Sequence, residues 1–318
     1  MPSMRMAIGF AVLFAIGCGG GEGGGGADAP KAIDAPGTQP DAFVPPAGYT
    51  RLVGRTWTLP AGALDTYRCV RLTVPNDTYI TNIIAQAPAG THHTVLSISD
   101  GSTQGADGEY NCDVSELGMV MLYASGVGTS PLDFPTGVGV KVAAGTQVHL
   151  NLHLFNATDV AISGDSAILI KSQATPPAML AEMVFAGRFV FGIPSNNTNY
   201  NVVGGCTVPI NGNYTLFAVW PHMHQLANHQ KVELIRGGQT TVLHDNPFAF
   251  AEQNYYLKTP EVSVQVGDEI RVTCTFKNNT GSVVTFGDSS NKEMCFAGLY
   301  RYPARNAGLF ECTDQQGF

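Results

Sequence analysis

Charged side chains are scarce in this sequence: Asp, Glu, Lys and Arg make up 13% of 318 residues, against about 25% in an average globular domain. This scarcity excludes a charge-rich disordered chain and a long charged helical rod. Lys and Arg form no basic run and the formal net charge is −8, so we expect no nucleic-acid partner. The length allows two domains, each with its own core.

Long apolar runs are also missing. The run from 6 to 16 is too short to span a bilayer but has the length of a signal-peptide core. Small residues precede Cys18 and resemble the bacterial lipobox, so we predict a lipoprotein signal peptide at 1–17 and a lipid on Cys18. An ordinary cleaved signal is the alternative. Residues 18–47, rich in Gly and Pro, predict a disordered tether. The protein is then exported and anchored by its lipid in the bacterial cell envelope. We expect the anchor to lie in the outer membrane, on its periplasmic or surface face.

Close Cys-x-x-Cys spacings are absent, which argues against a zinc knuckle or a thioredoxin-type motif. Seven cysteines are present, and six remain for disulfides if Cys18 carries a lipid. The gap between Cys112 and Cys206 indicates a domain boundary, with two cysteines before it and four after it. Pairing within domains then leaves three arrangements open among Cys69, Cys112, Cys206, Cys274, Cys295 and Cys312.

No segment shows a sustained helical period, whereas strand patterns are frequent. Residues 148–155 alternate between apolar and mostly polar positions, and 231–243 resemble a hairpin with two glycines at its turn. Two more strands flank a turn at Gly267-Asp268. We therefore predict an all-β fold with two jelly-roll-like antiparallel β-sandwich domains, at 48–176 and 177–318.

Three groups of histidines can be judged by their spacing. His92 and His93 are neighbours, so on a regular strand their side chains would face opposite ways. They reach one ion only at a strand end or a distortion, or through different ring nitrogens, and a structural or surface role is the alternative. His149 and His153 share a strand face but stand roughly 13 Å apart, so at most one joins a given site.

The spacing of His222 and His224 is more specific, because residues i and i+2 of a strand share a face and can chelate one ion. Adding a thioether would favour a copper ion that visits the reduced state. Met294 is one candidate for that ligand, although spacing alone does not choose among nine methionines. His229 and His244 have polar, turn-like neighbours, and we interpret both as surface residues.

Together, four motifs resemble the copper type II, ascorbate-dependent monooxygenases over residues 50–318. They are the His92-His93 pair, Leu152-His-Leu-Phe-Asn156, His222-Met-His224, and Glu293-Met-Cys295 followed by Tyr300-Arg-Tyr-Pro303. The resemblance implies two copper ions and ascorbate, or another one-electron reductant, as co-substrate. His92, His93 and His153 would hold the electron-transfer copper. His222, His224 and Met294 would hold the catalytic copper, which binds O₂. The implied disulfides are Cys69–Cys112, Cys206–Cys312 and Cys274–Cys295.

The substrate side departs from the peptide-amidating member of that family. Where that enzyme places an arginine, an asparagine and a tyrosine around the peptide carboxylate, this sequence has Trp220, Phe296 and Gly298. Peptide amidation is therefore not expected. Our hypothesis is that Trp220 and Phe296 bind a less polar substrate, and the alternative is that both are core residues.

Three functions are compatible with these sequence features. The first is a copper monooxygenase that uses O₂ to hydroxylate an activated C–H bond of a small organic molecule. The second is a non-catalytic surface lipoprotein that binds copper or transfers electrons. The third is a zinc hydrolase built on His92, His93 and His153, for which the sequence offers no convincing general base and no use for Met294.

Overall fold

The computed structural model describes residues 44–99, 105–117, 120–209, 212–306 and 308–314. The predicted signal peptide, Cys18 and most of the predicted tether lie outside these residues. All the regular elements described are strands: β1 Thr50–Leu59, β2 Thr66–Thr73, β3 Thr78–Gln86, β4 Thr91–Ile98, β5 Gly108–Asn111, β6 Val120–Ser125, β7 Leu132–Asp133, β8 Val138–Val142, β9 Gln147–Leu154, β10 Ile162–Gln173, β11 Met179–Leu180, β12 Glu182–Arg188, β13 Gly192–Ile193, β14 Asn197–Thr207, β15 Tyr214–His222, β16 Ala227–Arg236, β17 Gln239–Pro247, β18 Tyr256–Val264, β19 Glu269–Asn278, β20 Val284–Thr285, β21 Cys295–Tyr302 and β22 Cys312–Asp314.

The strands form four larger sheets and the small pair β13–β20. Sheet 1 has the order β1-β10-β3-β8-β11 with β7 beside β3, and sheet 2 has the order β5-β2-β9-β4-β6. Sheet 3 is β18-β15-β21-β12-β22 and sheet 4 is β14-β19-β16-β17. Pairing is antiparallel except between β8 and β11 and between β12 and β22. The prediction of an all-β sandwich is confirmed, whereas the domain boundary at 176/177 stays a prediction.

Local sequence signals account for several of these strands. In β9 the predicted apolar face, including Leu150 and Leu152, is fully buried. The predicted hairpin is β16–β17, with both glycines of its turn at positive φ. Gly267 turns the chain between β18 and β19 at a φ of 86°, where a side chain would be strained. These short-range predictions are confirmed.

Sheet 3 is buried on both faces, and this position sets the geometry of the site. Along β21, Phe296 and Tyr300 face a core shared with sheets 1 and 2. The alternate residues Cys295, Ala297 and Leu299 face a second core shared with sheet 4. A strand with two buried faces is mostly apolar. One of these faces carries Phe296 toward the histidines of sheet 2.

Three disulfides join the strands, with the pairing that the resemblance implies. Cys69–Cys112 closes a loop of 43 residues, Cys206–Cys312 one of 106 and Cys274–Cys295 one of 21. Loop-closure entropy gives each bond roughly 3–5 kcal/mol of stabilisation. Cys295 ties the segment that carries Met294 to β19. Among the described residues, none lies in a helix long and apolar enough to cross a bilayer.

Candidate metal centres

The first histidine set lies on two neighbouring strands of sheet 2. His93 of β4 is directly opposite His153 of β9. The register of this pair shifts between Thr91 and His93, so His92 occupies a bulge. The bulge turns His92 to the same side as His93, which a regular strand would not allow. A distortion, one of the arrangements that allow adjacent histidines to bind one ion, is therefore present.

The ring nitrogens of this set are close enough for one ion. His92, His93 and His153 each offer one nitrogen within 4.8 Å of the others. Nδ1 of His92 lies 3.4 Å from Nδ1 of His153. Two imidazoles bound to one ion through bonds of about 2.0–2.1 Å have their nitrogens roughly 3.3–3.6 Å apart at tetrahedral to trigonal angles. The observed distance fits such a pair.

The outer nitrogens of the first set already have neighbours. Nε2 of His93 lies 3.2 Å from the Phe250 carbonyl oxygen. Nε2 of His153 lies 2.8 Å from Oδ1 of Asp65, although the angle is poor for a hydrogen bond. The Tyr67 ring stacks on His153 at 4.7 Å between centroids. Contacts to the outer nitrogen orient a metal-binding imidazole and leave Nδ1 for the ion.

The second set comes from the end of β15 and the turn after it. The rings of His222 and His224 lie 5.4 Å apart between centroids. Nδ1 of His222 lies 3.1 Å from Oε1 of Gln253, and Nδ1 of His224 lies 3.1 Å from the Lys292 carbonyl oxygen. Both Nδ1 atoms can donate to these oxygens, so both Nε2 atoms can offer a lone pair.

Burial keeps the imidazoles of both sets neutral. It lowers the pKa of His222 to about 3, with a smaller contribution from His224. Burial also lowers the pKa of His92, His93, His153 and His224. A metal binds the neutral imidazole and competes with the proton, so both sets are ready for a metal at neutral pH.

Glu293 holds the second set together. Its carboxylate is fully buried and accepts the backbone N–H of His224 at 2.9 Å and of Leu226 at 2.6 Å. Burial raises the pKa of Glu293 to about 7. The next residue is the half-buried Met294, which lines the same cavity as the two histidines. Imidazoles with a thioether fit copper better than zinc.

Both sets border one cavity of about 440 Å³. Its lining includes His93, His153, His222, His224 and Met294. Aromatic rings supply much of the remaining wall: Phe185, Phe189, Trp220, Phe250, Phe286, Phe296 and Phe310. Among the described residues of the lining, Asp288 is the one carboxylate, and no Lys or Arg lines the cavity.

The structure places the other candidate residues as follows. Trp220 and Phe296 are both core residues and part of the cavity wall, and the Trp220 ring stacks on His222 at 4.9 Å. His149 stands apart from the first set, with Nε2 at 2.6 Å from the Tyr110 hydroxyl. The interpretation of His244 as a surface residue is wrong, because β17 buries it to 4% exposure.

Sequence reasoning missed the residues that surround the histidines. Tyr67 lies opposite His153 in the register of β2 and β9, a pairing over 86 residues that no local pattern shows. Phe250 and Gln253 belong to an irregular segment between β17 and β18. Glu293 belongs to the Glu293-Met-Cys295 motif, but only the structure shows that its carboxylate is buried and accepts two backbone N–H groups.

Part of the chain is similar to known protein sequences. A family model described as copper type II ascorbate-dependent monooxygenase, C-terminal domain, matches residues 179–316. Dopamine beta-hydroxylase of Bos taurus is 28% identical over 151 residues, which cover 44% of this chain and 25% of that protein. The chain thus spans about a quarter of that relative. A solved structure of infectious bursal disease virus, Gt strain, shares 10% identity and covers 86% of this chain and 81% of its own, but its TM-score of 0.20 carries no argument.

Proposed function

We propose that this chain, which belongs to the copper type II ascorbate-dependent monooxygenase family through residues 179–316, hydroxylates an activated C–H bond of a small organic substrate with O₂. Ascorbate or a similar one-electron reductant would supply the electrons. The observation that carries the proposal is the single cavity bordered by both sets, one of three imidazoles and one of two imidazoles and a thioether.

The first set suits electron transfer. Three neutral imidazoles, of His92, His93 and His153, accept both oxidation states of copper. Asp65 and the Phe250 carbonyl lie against the outer nitrogens and keep the rings in place. Fixed rings reduce the rearrangement that a change of charge would require, which supports a role as the site that receives an electron from the reductant.

The second set suits the reaction with O₂. His222, His224 and Met294 would hold the catalytic copper, which when bound supplies the one-electron chemistry that activates O₂. The chain's own contribution is position and exclusion of water. Glu293 fixes the turn that carries His224, and Trp220 covers one face of the His222 ring. The aromatic wall keeps the reacting C–H bond in apolar surroundings.

The cavity wall also supports a choice of substrate class. The described lining has no Lys or Arg to pair with a carboxylate, while aromatic rings dominate the wall and Asp288 lies at an exposed position. A substrate with an apolar or aromatic body and no negative charge therefore fits best, and we do not propose peptide amidation.

Trp220→Ala should weaken substrate binding. Unchanged substrate affinity would contradict the assignment of this wall as the binding pocket.

Metal analysis with electron paramagnetic resonance tests the proposed function. We expect two coppers per chain in wild-type protein and loss of the Cu(II) signal on addition of ascorbate. Met294→Ala and Met294→Leu should weaken Cu(I) binding at the second set alone, and Met183→Leu, a buried methionine that is part of the core, serves as the control. Incubation with ¹⁸O₂ and a substrate panel should yield a product carrying ¹⁸O.

Three results would contradict this function. Zinc occupancy would favour a hydrolase, and fewer than two coppers would remove one of the two sets. Two coppers that ascorbate reduces without any hydroxylated product would favour the non-catalytic copper protein.

We also propose a lipid anchor on Cys18 in the cell envelope. Wild-type protein should partition into the detergent phase of Triton X-114 and incorporate labelled palmitate. Cys18→Ala should do neither, and label on the Ala variant would contradict the anchor.

A further inference from the structure

One buried side chain touches both histidine sets. Gln253 is 4% exposed and lies in the bridging segment, residues 249–255, between β17 and β18. Its Nε2 lies 3.1 Å from Nε2 of His93, and its Oε1 lies 3.1 Å from Nδ1 of His222. A single amide thus spans from the first set to the second.

We propose that Gln253 is a positioning residue that couples the two sets, because its amide selects the ring nitrogen through which His93 and His222 can bind a metal. The inference rests on the proposed function for the identity of the metal. The contacts of Gln253 with His93 and His222 involve only side chains of this chain and require no metal.

The orientation of the amide follows from its surroundings. Nε2 of Gln253 lies 3.2 Å from the Phe250 carbonyl oxygen, to which it can donate. The reversed amide would set two oxygens against each other there and lose that hydrogen bond. Oε1 therefore faces His222 and can only accept. Nδ1 of His222 must carry the hydrogen, which leaves Nε2 free for a metal.

The other end of the amide has the opposite effect on His93. If Nε2 of Gln253 donates to Nε2 of His93, the hydrogen of that imidazole lies on Nδ1 and blocks it as a ligand. The Phe250 carbonyl offers an alternative, since it lies 3.2 Å from Nε2 of both His93 and Gln253. When both nitrogens donate to this oxygen, Nδ1 of His93 is free for a metal. Gln253 thus favours the tautomer of His222 that can bind a metal through Nε2. At His93 it opposes the tautomer that can bind a metal through Nδ1.

The bridging segment is held from both sides, so this coupling has a fixed frame. The backbone carbonyl of Gln253 accepts the Trp220 indole N–H at 3.2 Å and the Thr129 hydroxyl at 3.0 Å. The Tyr255 hydroxyl donates to the Ala124 carbonyl at 2.6 Å and accepts the Ala124 N–H at 2.8 Å. Because its backbone is held, the Gln253 side chain cannot move toward one histidine set without changing its contact with the other.

The first test reads the tautomers without any metal. Protein labelled with ¹⁵N-histidine and stripped of metal should show His222 mainly with its hydrogen on Nδ1. Gln253→Leu removes both contacts, so His222 should lose this preference while His93, left with the Phe250 carbonyl, should move toward hydrogen on Nε2. Gln253→Glu keeps an oxygen toward His222 and should restore Nδ1–H there, while its second oxygen faces His93 and the Phe250 carbonyl. Gln86→Leu, at another buried glutamine that bonds to Asp165, is the matched control.

The second test reads copper affinity at each set by titration followed by electron paramagnetic resonance. Loss of a group that orients a metal ligand commonly costs 10–100-fold in affinity. Gln253→Leu should therefore bind copper ~10–100-fold more weakly at the second set, with equal or tighter binding at the first. Gln253→Glu should recover the second set.

Opposite changes at the two sets distinguish coupling from general loosening of the fold. Unchanged tautomers in Gln253→Leu, or equal weakening at both sets with the same pattern in Gln86→Leu, would overturn the proposal. If wild-type protein binds no copper, the proposed function fails, and the tautomers of the metal-free protein still decide the role of Gln253.

Discussion

Nδ1 of His92 lies 3.4 Å from Nδ1 of His153, although the two residues stand 61 positions apart in the chain. The bulge at His92 in β4 produces this contact, because it turns His92 to the side of the strand that His93 already faces. Without it, adjacent histidines would point to opposite faces of sheet 2. A three-histidine set therefore depends on one irregular residue in an otherwise regular strand.

Asp65 should tune the first set through His153. We expect Asp65→Asn to weaken copper binding there by ~10–100-fold, because the neutral amide no longer strengthens the imidazole as a ligand. The second set should keep its affinity. Asp77→Asn, at another exposed aspartate, which pairs with Lys141, is the control in the same copper titration. Equal affinity in wild type and Asp65→Asn would show that the contact at 2.8 Å has no role in binding.

Glu293 should matter for stability and for the second set alike. Glu293→Ala leaves the buried N–H groups of His224 and Leu226 without their acceptor, which should cost about 2–4 kcal/mol in the free energy of unfolding. Glu293→Gln retains one oxygen and should cost less. Urea unfolding of the two variants measures the loss in free energy of unfolding, and copper titration measures the affinity of the second set. A second set of unchanged affinity in Glu293→Ala would contradict the role of Glu293 in placing its ligands.

Sequence patterns revealed the strands but not the surroundings of the histidines. The alternation of β9 and the glycine turns at β16–β17 and β18–β19 depend on neighbours in the chain, so periodicity was sufficient. The candidate ligands came from a resemblance in the order of motifs. No sequence pattern indicates Gln253, because its contacts are with two histidines on different sheets.

His244 shows how local context can mislead. Its neighbours Asp245 and Asn246 are polar, which indicated a surface position, yet sheet 4 buries it. Arg301 lies inside a motif that carried the family resemblance, and its side chain belongs to a buried ion-pair network.

Arg301 should be among the most sensitive positions for stability. Its guanidinium is 2% exposed and bonds to Glu182 at 2.7 Å and to Glu311. Arg301→Gln would leave the largely buried Glu182 carboxylate without a cation and Glu311 with Arg305 alone, at an expected cost of about 3–5 kcal/mol. Arg51→Gln breaks the exposed pair with Asp165 and should cost below about 1 kcal/mol. Chemical denaturation of both variants measures the difference, and similar losses would contradict the buried network.

His244 should make the protein less stable in mild acid. Burial, followed by repulsion from the Lys258 ammonium, lowers the pKa of His244 to about 4 from an ordinary value of 6.5. The unfolded chain therefore takes up a proton below pH 6.5 that the folded chain refuses until about pH 4. The resulting penalty is absent above pH 6.5 and grows as the pH falls through this window.

The size of the effect can be isolated with one substitution. His244→Gln keeps a polar side chain beside Asn246 but cannot take up the proton. Between pH 7 and pH 5, wild type should lose about 1–2 kcal/mol more of its free energy of unfolding than this variant. Urea unfolding at the two pH values provides the comparison. Equal losses in wild type and variant would show that the imidazole is protonated as easily in the folded chain as in the unfolded one.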